Sequence, residues 1–345
     1  MTMSTKQQDA QVGTRLTDED ILVEVRNIKK YFPIKGGVLQ KTVGQLKAVD
    51  DVSFSIKKGE TLGIVGESGS GKSTLGRVLI RLLEPTDGQL IFDNKDITTL
   101  RQRLIRPIRE DMQMVFQDPF ASLNSKMSVE QLIEEPLLVQ GNLAKKDRKQ
   151  KVLAVLQKVG LRKDDLQKYP HEFSGGQRQR ISIARALVLN PKFVICDEPV
   201  SALDVSIQAQ VLNLMKDLQE DLGLTYLFIA HDLSVVKHIS DRVAVMYLGR
   251  FAEIAPKRSL YDNPLHPYTQ ALLSSIPVID LSGEQARGKE KIKLSGDLPS
   301  PASPPSGCTF RTRCPKAHDR CTIDRPELIE IDEGHFVACH LYDRS

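Results

Sequence analysis

The sequence lacks any long hydrophobic run. No stretch of the 345 residues approaches the roughly 18 consecutive apolar residues that a membrane-spanning helix requires. The first twenty residues are polar and lack the apolar core of a secretory signal peptide. These absences argue against an integral membrane protein, and we expect the chain to stay in the cytoplasm.

The sequence also has little excess charge and few cysteines. Its 48 basic and 44 acidic residues leave a net charge of +4, which gives no electrostatic argument for nucleic-acid binding. Five cysteines in a chain of this size do not suggest a disulfide scaffold. Four of them lie in the last forty residues, a position that indicates metal binding in a reducing compartment.

The apolar residues that are present follow the patterns of an α/β fold. The stretches ILVEVRNIKKYF and KAVDDVSFSI alternate like two strands of an antiparallel layer, and an insertion from Ile34 to Lys47 separates them. The short apolar runs in ETLGIVG, KFVICDEP and TYLFIAHD alternate with helical patterns. Such alternation predicts a parallel core sheet that binds its ligands at the carboxyl ends of the strands.

Changes in composition predict the domain boundaries. We expect a polar tail over residues 1–20, a main domain over 21–255 with a helical subdomain at about 100–190, and a C-terminal extension over 256–345. The Pro- and Ser-rich stretch from Leu298 to Gly307 is the most linker-like part of the chain. We therefore expect this linker to separate the cysteine segment, residues 308–339, from the main domain.

The stretch GESGSGKST, Gly66 to Thr74, matches the P-loop pattern and stands between a strand and a helix, as that pattern requires. Its glycines allow successive N–H groups to surround phosphate oxygens. Lys72 is placed to reach the β- and γ-phosphates of a nucleotide, and the Ser73 hydroxyl is placed to ligate Mg²⁺.

Two acidic residues end the strand of FVICDEP. A P-loop NTPase needs a second Mg²⁺ anchor at the end of a neighbouring buried strand, and Asp197 stands there. Glu198 suits a general base that polarises the attacking water. His231, which ends the strand of TYLFIA, can reach the same crevice and orient the water. Gln117, in MVFQDP, could contact both Mg²⁺ and the water.

A second anion cradle is predicted in HEFSGGQRQRISIARAL. Ser174 to Gln177 form a Ser-Gly-Gly-Gln turn before a helical pattern, and the first N–H groups of a helix have no partners within the helix. The P-loop already provides a phosphate cradle upstream. The residues alone therefore leave open which phosphate the second cradle binds.

The C-terminal cysteines stand at the spacing C-x5-C-x6-C-x17-C and are Cys308, Cys314, Cys321 and Cys339. Their segment has little apolar content of its own and needs a metal or a cross-link to stabilise its fold. Four thiolates can hold a tetrahedral zinc ion or a [4Fe–4S] cluster, and the C-x2-C pairs usual in zinc ribbons are absent. Four free cysteines in a loop are the simpler alternative.

The motifs and their order resemble the nucleotide-binding subunits of ATP-binding cassette (ABC) transporters. The resemblance rests on the P-loop, VFQDP, FSGGQ, FVICDEP, SALD and IAHD, and it extends over residues 21–255. It implies the P-loop NTPase fold of an ABC ATPase, and it implies that two such domains associate head to tail. The FSGGQ signature of one domain then closes over the ATP in the P-loop of the other, so the second cradle would serve the partner's ATP.

The resemblance also implies roles for particular residues. Glu198 would be the catalytic base, His231 the switch histidine, Gln117 the Q-loop glutamine and Asp204 the D-loop aspartate. Phe32 would stack on adenine, with Tyr31 as the alternative. The residues expected to contact Mg²⁺ are Ser73, Gln117 and Asp197, and the wider set expected to contact ATP is Phe32, Gly66, Ser68, Gly69, Ser70, Gly71, Lys72, Ser73, Thr74, Gln117, Ser174, Gly175, Gly176, Gln177, Asp197 and Asp204.

Beyond residue 255, NPLHPYTQALLSSIP and LSGDLPSPASPPSGCTFRTRC resemble the C-terminal extension of dipeptide and oligopeptide importer ATPases, most of all the second, F-type ATPase of dipeptide permeases. This resemblance implies a paralogous ATPase partner, two integral membrane permease subunits and, indirectly, an extracytoplasmic binding protein. It implies a peripheral place on the cytoplasmic face of the membrane. It also favours a [4Fe–4S] cluster at the four cysteines.

Other functions compete with peptide import. Nickel and glutathione importers are near relatives within the same subgroup. A soluble ABC ATPase that remodels DNA or ribosomes usually carries two cassettes or a long coiled-coil insertion, and the sequence has neither. A P-loop kinase leaves FSGGQ and SALD unexplained. The sequence therefore favours an ATPase that powers the import of dipeptides or short peptides.

Overall fold

The computed structural model of the chain describes residues 20–37, 40–141, 143–276, 292, 294 and 296–343. The polar tail expected over residues 1–20 lies outside the described residues except for Asp20. The strands are β1 (Ile21–Gly36), β2 (Lys41–Lys57), β3 (Thr61–Val65), β4 (Asp87–Phe92), β5 (Lys95–Asp96), β6 (Met112–Val115), β7 (Phe193–Asp197), β8 (Thr225–Ile229), β9 (Arg242–Tyr247), β10 (Arg250–Pro256), β11 (Ile329–Asp332) and β12 (His335–Val337).

The helices surround two sheets. They are α1 (Lys72–Leu79), α2 (Gln102–Ile108), α3 (Pro119–Ser122), α4 (Val129–Gln140), α5 (Lys145–Lys158), α6 (Gly175–Leu187), α7 (Val205–Leu222), α8 (Leu233–Ile239), α9 (Lys257–Asp262), α10 (Pro267–Ser274) and α11 (Arg320–Ile323). The sheets have the strand orders β2-β1-β4-β5 and β11-β12-β10-β9-β3-β8-β7-β6.

The first sheet is the predicted antiparallel layer. Strands β1 and β2 stay paired from Ile21 opposite Lys57 to Gly36 opposite Lys41. The expected insertion from Ile34 to Lys47 is therefore the far end of one long hairpin, because the two strands still pair from Ile34 opposite Gly44 to Gly36 opposite Lys41.

The second sheet contains the predicted parallel core. Strands β9, β3, β8, β7 and β6 are mutually parallel. Every residue of β3, β7 and β8 is buried, which explains why these strands are continuous apolar runs. The segments that carry the motifs follow the carboxyl ends of β3, β6, β7 and β8, so they meet at one edge of the sheet.

The helical region lies beside this edge. Its helices α4, α5 and α6 bury Leu132, Leu156 and Ile181 in one apolar core that continues into the main sheet. The range of about 100–190 expected for it also includes β6, which belongs to the main sheet. The helical part beyond β6 runs from α3 to α6, residues 119–187.

The C-terminal segment, residues 296–343, packs on the main domain rather than lying apart from it. Strand β12 pairs with β10, and β11 pairs with β12, so the segment extends the main sheet. The backbone N–H of Lys47 donates to the carbonyl oxygen of Pro301, inside the Pro- and Ser-rich stretch. The expected separating linker is therefore a strap held against the main domain, because strand pairing outweighs the local composition.

Candidate active site

The loop between β3 and α1 requires glycine at its turns. A Cβ atom on Gly66 would lie 2.1 Å from the carbonyl oxygen of Met246, and one on Gly71 would lie 2.0 Å from that of Ala48. Gly71 also has a φ of +104°. Only glycine allows these close approaches. No side chain caps the start of α1, so the N–H groups of its first turn remain available to an anion.

Lys72 is buried at the centre of this loop. Its ammonium group donates to the carbonyl oxygens of Gly66 and Glu67 at 2.7 and 2.9 Å, and to Ser70 Oγ at 3.3 Å. Burial lowers the pKa of Lys72, and nearby carboxylates, chiefly Glu198, oppose that effect. A buried cation beside the uncapped start of α1 fits a phosphate group.

Ser73 and Asp197 meet at the carboxyl edge of the sheet. Ser73 Oγ donates to Asp197 Oδ1 at 2.8 Å. Asp197 ends β7 and is only 2% exposed. Burial raises the pKa of Asp197, whereas the bond from Ser73 lowers it. A hydroxyl and a carboxylate oxygen are ligands that Mg²⁺ prefers, so the two residues fit the expected Mg²⁺ site.

Glu198 contacts the two side chains that the sequence predicts to act with it. Gln117 Nε2 donates to Glu198 Oε2 at 2.9 Å, and His231 Nδ1 lies 3.3 Å from the same oxygen. Gln117, Glu198 and His231 follow the adjacent strands β6, β7 and β8. The parallel sheet thus brings three residues together that are far apart in the sequence.

The backbone of Glu198 fixes the direction of its side chain. Its φ of +48° lies in the left-handed region, which is uncommon for a residue with a Cβ atom. The N–H of Glu198 donates to the carbonyl oxygen of Ile229 at 2.9 Å, at the end of β8. Such conformations concentrate at functional sites, where the surrounding structure enforces them.

A small cavity of about 40 Å³ adjoins this carboxylate. Its lining includes Glu198, Ser201, Gln208 and His231. Polar groups and a volume above that of a single water molecule make the cavity suitable for water. Glu198 and His231 therefore border a place that the attacking water can occupy.

The signature residues Ser174–Gln177 begin α6. Gln177 N donates to Ser174 Oγ at 3.4 Å, and Ser174 N donates to Gln177 Oε1 at 3.0 Å. A Cβ atom on Gly176 would lie 2.5 Å from Ile207 Cγ2, so the turn packs closely on α7. Within the part of the chain that the structure describes, the side-chain bonds of this turn do not reach the P-loop. Asp204, the residue before α7, makes no side-chain capping bond to that helix.

The two candidate adenine-stacking residues differ in their contacts. The hydroxyl of Tyr31 donates to Asp50 Oδ1, and Asp50 also pairs with Arg250. The Phe32 ring lies 5.0 Å from Lys30 Nζ. The hydroxyl bond holds the Tyr31 ring at Asp50, and Phe32 stays the predicted adenine-stacking residue.

Sequence reasoning missed a contact between the C-terminal segment and the P-loop. Arg313 Nη1 lies 2.8 Å from Glu67 Oε2, and the Tyr268 hydroxyl accepts from Glu67 N at 3.0 Å. Glu67 occupies a variable position of the P-loop pattern, and Arg313 lies 246 residues further along the chain. No local signal could have paired them. The linker was expected to keep the cysteine segment away from this loop, and the contact shows that it does not.

The four cysteines lie near one another without forming a disulfide. The N–H of Cys308 donates to the carbonyl oxygen of Cys321. Burial raises the pKa of Cys339 to about 11, and the charges of Cys308, Cys314 and Cys321 contribute to that rise. In the described residues, however, no group of three or more His, Cys, Asp or Glu side chains is arranged to hold a metal ion. The structure therefore does not support the expected metal centre, zinc or [4Fe–4S], at these residues.

Two family models match the sequence. Residues 49–201 match the model described as ABC transporter, and residues 252–321 match the model described as oligopeptide/dipeptide transporter, C-terminal region. Among the described residues, no helix is long and apolar enough to cross a membrane.

Known proteins resemble almost the whole chain. The oligopeptide transport ATP-binding protein AppF of Bacillus subtilis (strain 168) is 59% identical over 326 residues, which cover 94% of this chain and 98% of AppF. YkfD of the same organism is 56% identical over 323 residues, which cover 93% of this chain and 95% of that protein.

Solved structures resemble the main domain. The ATP-binding cassette MJ0796, in a dimeric post-hydrolysis state bound to ADP and Pi, is 30% identical with a TM-score of 0.61, and the match covers 69% of this chain and 99% of that one. CbiO1 from Clostridium perfringens, part of the ABC transporter complex cbiONQ, is 31% identical with a TM-score of 0.62, covering 71% of this chain and 92% of that one. The chain therefore belongs to the ATPase subunits of ABC transporters, in the group that carries the oligopeptide/dipeptide transporter C-terminal region.

Proposed function

We propose that this chain binds and hydrolyses MgATP to power the import of dipeptides or other short peptides through a membrane permease. The contacts of Glu198 with Gln117 and His231 carry the hydrolytic part of the proposal. The match of residues 252–321 and the near full-length similarity to an oligopeptide transport ATP-binding protein support peptides as the substrate.

The side chains around the P-loop have distinct roles in this proposal. Bound MgATP supplies the γ-phosphoryl group and the divalent charge that neutralises the phosphates. Lys72 and the N–H groups of the loop would hold the β- and γ-phosphates. Ser73 and Asp197 would ligate the Mg²⁺ ion. Glu198 accepts a proton from the water in the adjoining cavity. Gln117 and His231 keep the Glu198 carboxylate directed at that water.

We propose that Ser174–Gln177 complete the ATP site of a second, paralogous ATPase subunit in a head-to-tail dimer. The side-chain bonds of Ser174 and Gln177 remain within their own turn, which supports a cradle for an anion from outside the chain. His231 is 58% exposed, as a residue that faces a partner requires. The similar cassette MJ0796 has a dimeric structure.

Two integral membrane permease subunits are the other proposed partners. Exposed apolar side chains lie on both sides of Gln117 and on α4, at Phe116, Phe120, Leu138 and Val139. Salt bridges and hydrogen bonds from Arg185 to Glu135 and to the carbonyl oxygen of Ser122 hold α3 and α4 to α6. An apolar surface attached to the signature helix suits a permease helix at the cytoplasmic face of the membrane. An extracytoplasmic binding protein would then select the substrate.

We propose in addition that the four cysteines hold a [4Fe–4S] cluster. The number and the spacing of Cys308, Cys314, Cys321 and Cys339 in the sequence support the donor set. The cluster would stabilise the fold of a segment that has few apolar residues.

Metal analysis tests the cluster. Protein purified without oxygen should be brown and contain about four iron and four sulfide ions per chain. Cys314→Ser should lose both, whereas Cys196→Ala, which changes the cysteine inside β7, should keep both. Colourless protein that contains zinc or no metal would refute the cluster.

A growth experiment tests the substrate. A strain without this chain should fail to grow when a dipeptide is the only source of a required amino acid, because only the complete transporter selects the substrate. The free amino acid should restore growth. A defect limited to nickel or glutathione uptake would assign the chain to one of those alternatives.

A further inference from the structure

The second residue of the P-loop, Glu67, is held by two residues from beyond the main domain. Arg313 Nη1 lies 2.8 Å from Glu67 Oε2, and the two side chains are 10% and 26% exposed. The hydroxyl of Tyr268, on α10, accepts a hydrogen bond from Glu67 N at 3.0 Å. Both the carboxylate and the backbone of Glu67 are thus fixed from the C-terminal side of the chain.

The elements that carry Arg313 and Tyr268 are themselves rigidly packed. The Phe310 ring is buried, and its centroid lies 5.2 Å from that of Tyr247 and 5.3 Å from that of Tyr268. The Arg313 N–H donates to the carbonyl oxygen of Phe310 at 3.0 Å. The aromatic cluster therefore sets the position from which the Arg313 guanidinium reaches Glu67.

Glu67 in turn contacts the lysine that binds phosphate. The carbonyl oxygen of Glu67 accepts from Lys72 Nζ at 2.9 Å. A continuous chain of contacts therefore runs from Arg313 through Glu67 to Lys72. A shift of the Glu67 backbone would move one of the three acceptors that position the ammonium group.

The charge of Glu67 makes the contact necessary. Its carboxylate lies in the loop that surrounds the phosphates, and an unpaired negative charge there repels a nucleotide that carries several negative charges. The Arg313 guanidinium neutralises it at 2.8 Å. Because the pair is mostly buried, removal of one partner leaves a charge without compensation.

We infer that Arg313 is a positioning residue for the P-loop, assisted by Tyr268, and that the C-terminal segment thereby sets the affinity for ATP. The role rests on ATP binding at the P-loop, which the proposed function also requires. It does not depend on a metal in the cysteine segment. It gives the segment a part in nucleotide binding besides any part in assembly.

Variants of the full chain test this role through the dissociation constant of MgATP and the KM and kcat of hydrolysis. Arg313→Gln should weaken MgATP binding and raise KM by about tenfold, a typical size for a direct pairwise coupling, and should leave kcat at saturating ATP unchanged. Tyr268→Phe should raise KM in the same direction. Arg311→Gln is the matched control, because this half-buried arginine lies in the same segment and its side-chain hydrogen bonds within the described residues go to Ser306.

A compensating variant separates the charge effect from a structural effect. In the Arg313→Gln protein, the added change Glu67→Gln should restore most of the ATP affinity, because it removes the charge that lost its partner. Arg313→Lys should also keep most of the affinity, since only one nitrogen makes the contact and a lysine can supply the charge. A segment that merely misfolds would be rescued by neither change.

Three results would overturn the inference. They are wild-type ATP affinity in Arg313→Gln, a lower kcat with an unchanged KM, and a double variant whose affinity is no better than that of Arg313→Gln. If the wild-type chain itself failed to bind MgATP, the proposed function would fail instead. The two failures are thus distinguishable.

Discussion

At the scale of single residues, Glu198 separates ATP binding from ATP hydrolysis. Glu198→Gln keeps the shape of the side chain and the bond to Gln117 but removes the base. We expect MgATP binding to persist and kcat to fall by about 10²–10⁴-fold, the usual contribution of a general base. Equilibrium binding of ATP and steady-state phosphate release measure the two effects separately.

The matched control for this variant is Glu220→Gln. Glu220 is an exposed residue near the end of α7, and no catalytic role is proposed for it. The Glu220→Gln variant should hydrolyse ATP at the rate of the wild type. Full activity in Glu198→Gln would mean that another residue is the base. Loss of ATP binding would mean that Glu198 takes part in binding instead.

His266 should make the fold sensitive to acid. Burial lowers the pKa of His266 to about 4, although Glu253 opposes the shift, and Nδ1 of the ring accepts from Tyr268 N. Unfolding returns the pKa to about 6.5, so the unfolded chain binds more protons between these values. The free energy of unfolding should therefore fall as the pH drops from 6.5 towards 4, by at most about 1.4 kcal/mol per pH unit.

Urea unfolding at a series of pH values measures this slope. His266→Asn keeps an oxygen that can accept from Tyr268 N and removes the titrating ring. The variant should lose less stability than the wild type between neutral and mildly acidic pH. Equal slopes in the two proteins would show that other groups cause the acid sensitivity.

Local sequence was sufficient to predict where the P-loop, Asp197 and Glu198 lie, because each stands at or just after the end of a buried strand. Their meeting with Gln117 and His231 followed from the rule that parallel strands end at one edge. The contact of Arg313 with Glu67 could not be predicted. It depends on how the C-terminal segment folds back, and no periodicity or spacing in the sequence encodes that path.

At the scale of elements, Glu253 fastens the C-terminal hairpin to the main sheet. It lies on β10 with no exposed surface, and it accepts bonds from Leu265 N, His266 N and His335 Nε2. Glu253→Gln would turn an amide NH₂ group towards a donor. We expect the free energy of unfolding to fall by about 1.5–3 kcal/mol, the contribution of a hydrogen bond to a charged group.

Hydrogen exchange of the β12 amides tests this prediction alongside urea unfolding. The amides of β12 should exchange faster in Glu253→Gln, because the bond to His335 on that strand is weakened. Glu327→Gln, which changes an exposed glutamate just before β11, should leave the exchange unchanged. Unaltered protection of β12 in Glu253→Gln would mean that strand pairing alone holds the hairpin.

Elements with a clear local apolar pattern could be predicted from the sequence. Elements whose position depends on distant partners could not. The apolar runs of β3, β7 and β8 identify buried strands because every residue in them, on both faces of the strand, is buried. Strands β11 and β12 are short and partly exposed, and they exist because β10 offers an edge. The composition around residues 298–307 indicated a linker, whereas tertiary contacts hold the segment in place.

At the scale of the whole molecule, the signature should act on the nucleotide of the partner subunit. Ser174→Arg places a long cationic side chain in the cradle and removes the cap of α6. We expect this chain to keep ATP in its own P-loop, and we expect hydrolysis to stop at the site on the partner's P-loop. Photo-crosslinking of an azido-ATP analogue, resolved by subunit, distinguishes the two sites.

Ser303→Arg provides the control for charge and size, because Ser303 is exposed in the C-terminal strap. It should leave both sites labelled as in the wild type. Loss of label from the mutated chain itself, with the partner unaffected, would mean that the signature acts within its own chain.

The account depends most directly on the coupling of hydrolysis at Glu198 to peptide transport. The measurement is ATP-dependent uptake of a labelled dipeptide into proteoliposomes that contain the whole transporter and its binding protein, with phosphate release followed in the same samples. The wild-type complex should accumulate the dipeptide and release phosphate faster in its presence, whereas the complex with Glu198→Gln should do neither. Accumulation that persists in the variant, or hydrolysis that responds to nickel or glutathione and not to the dipeptide, would contradict the account.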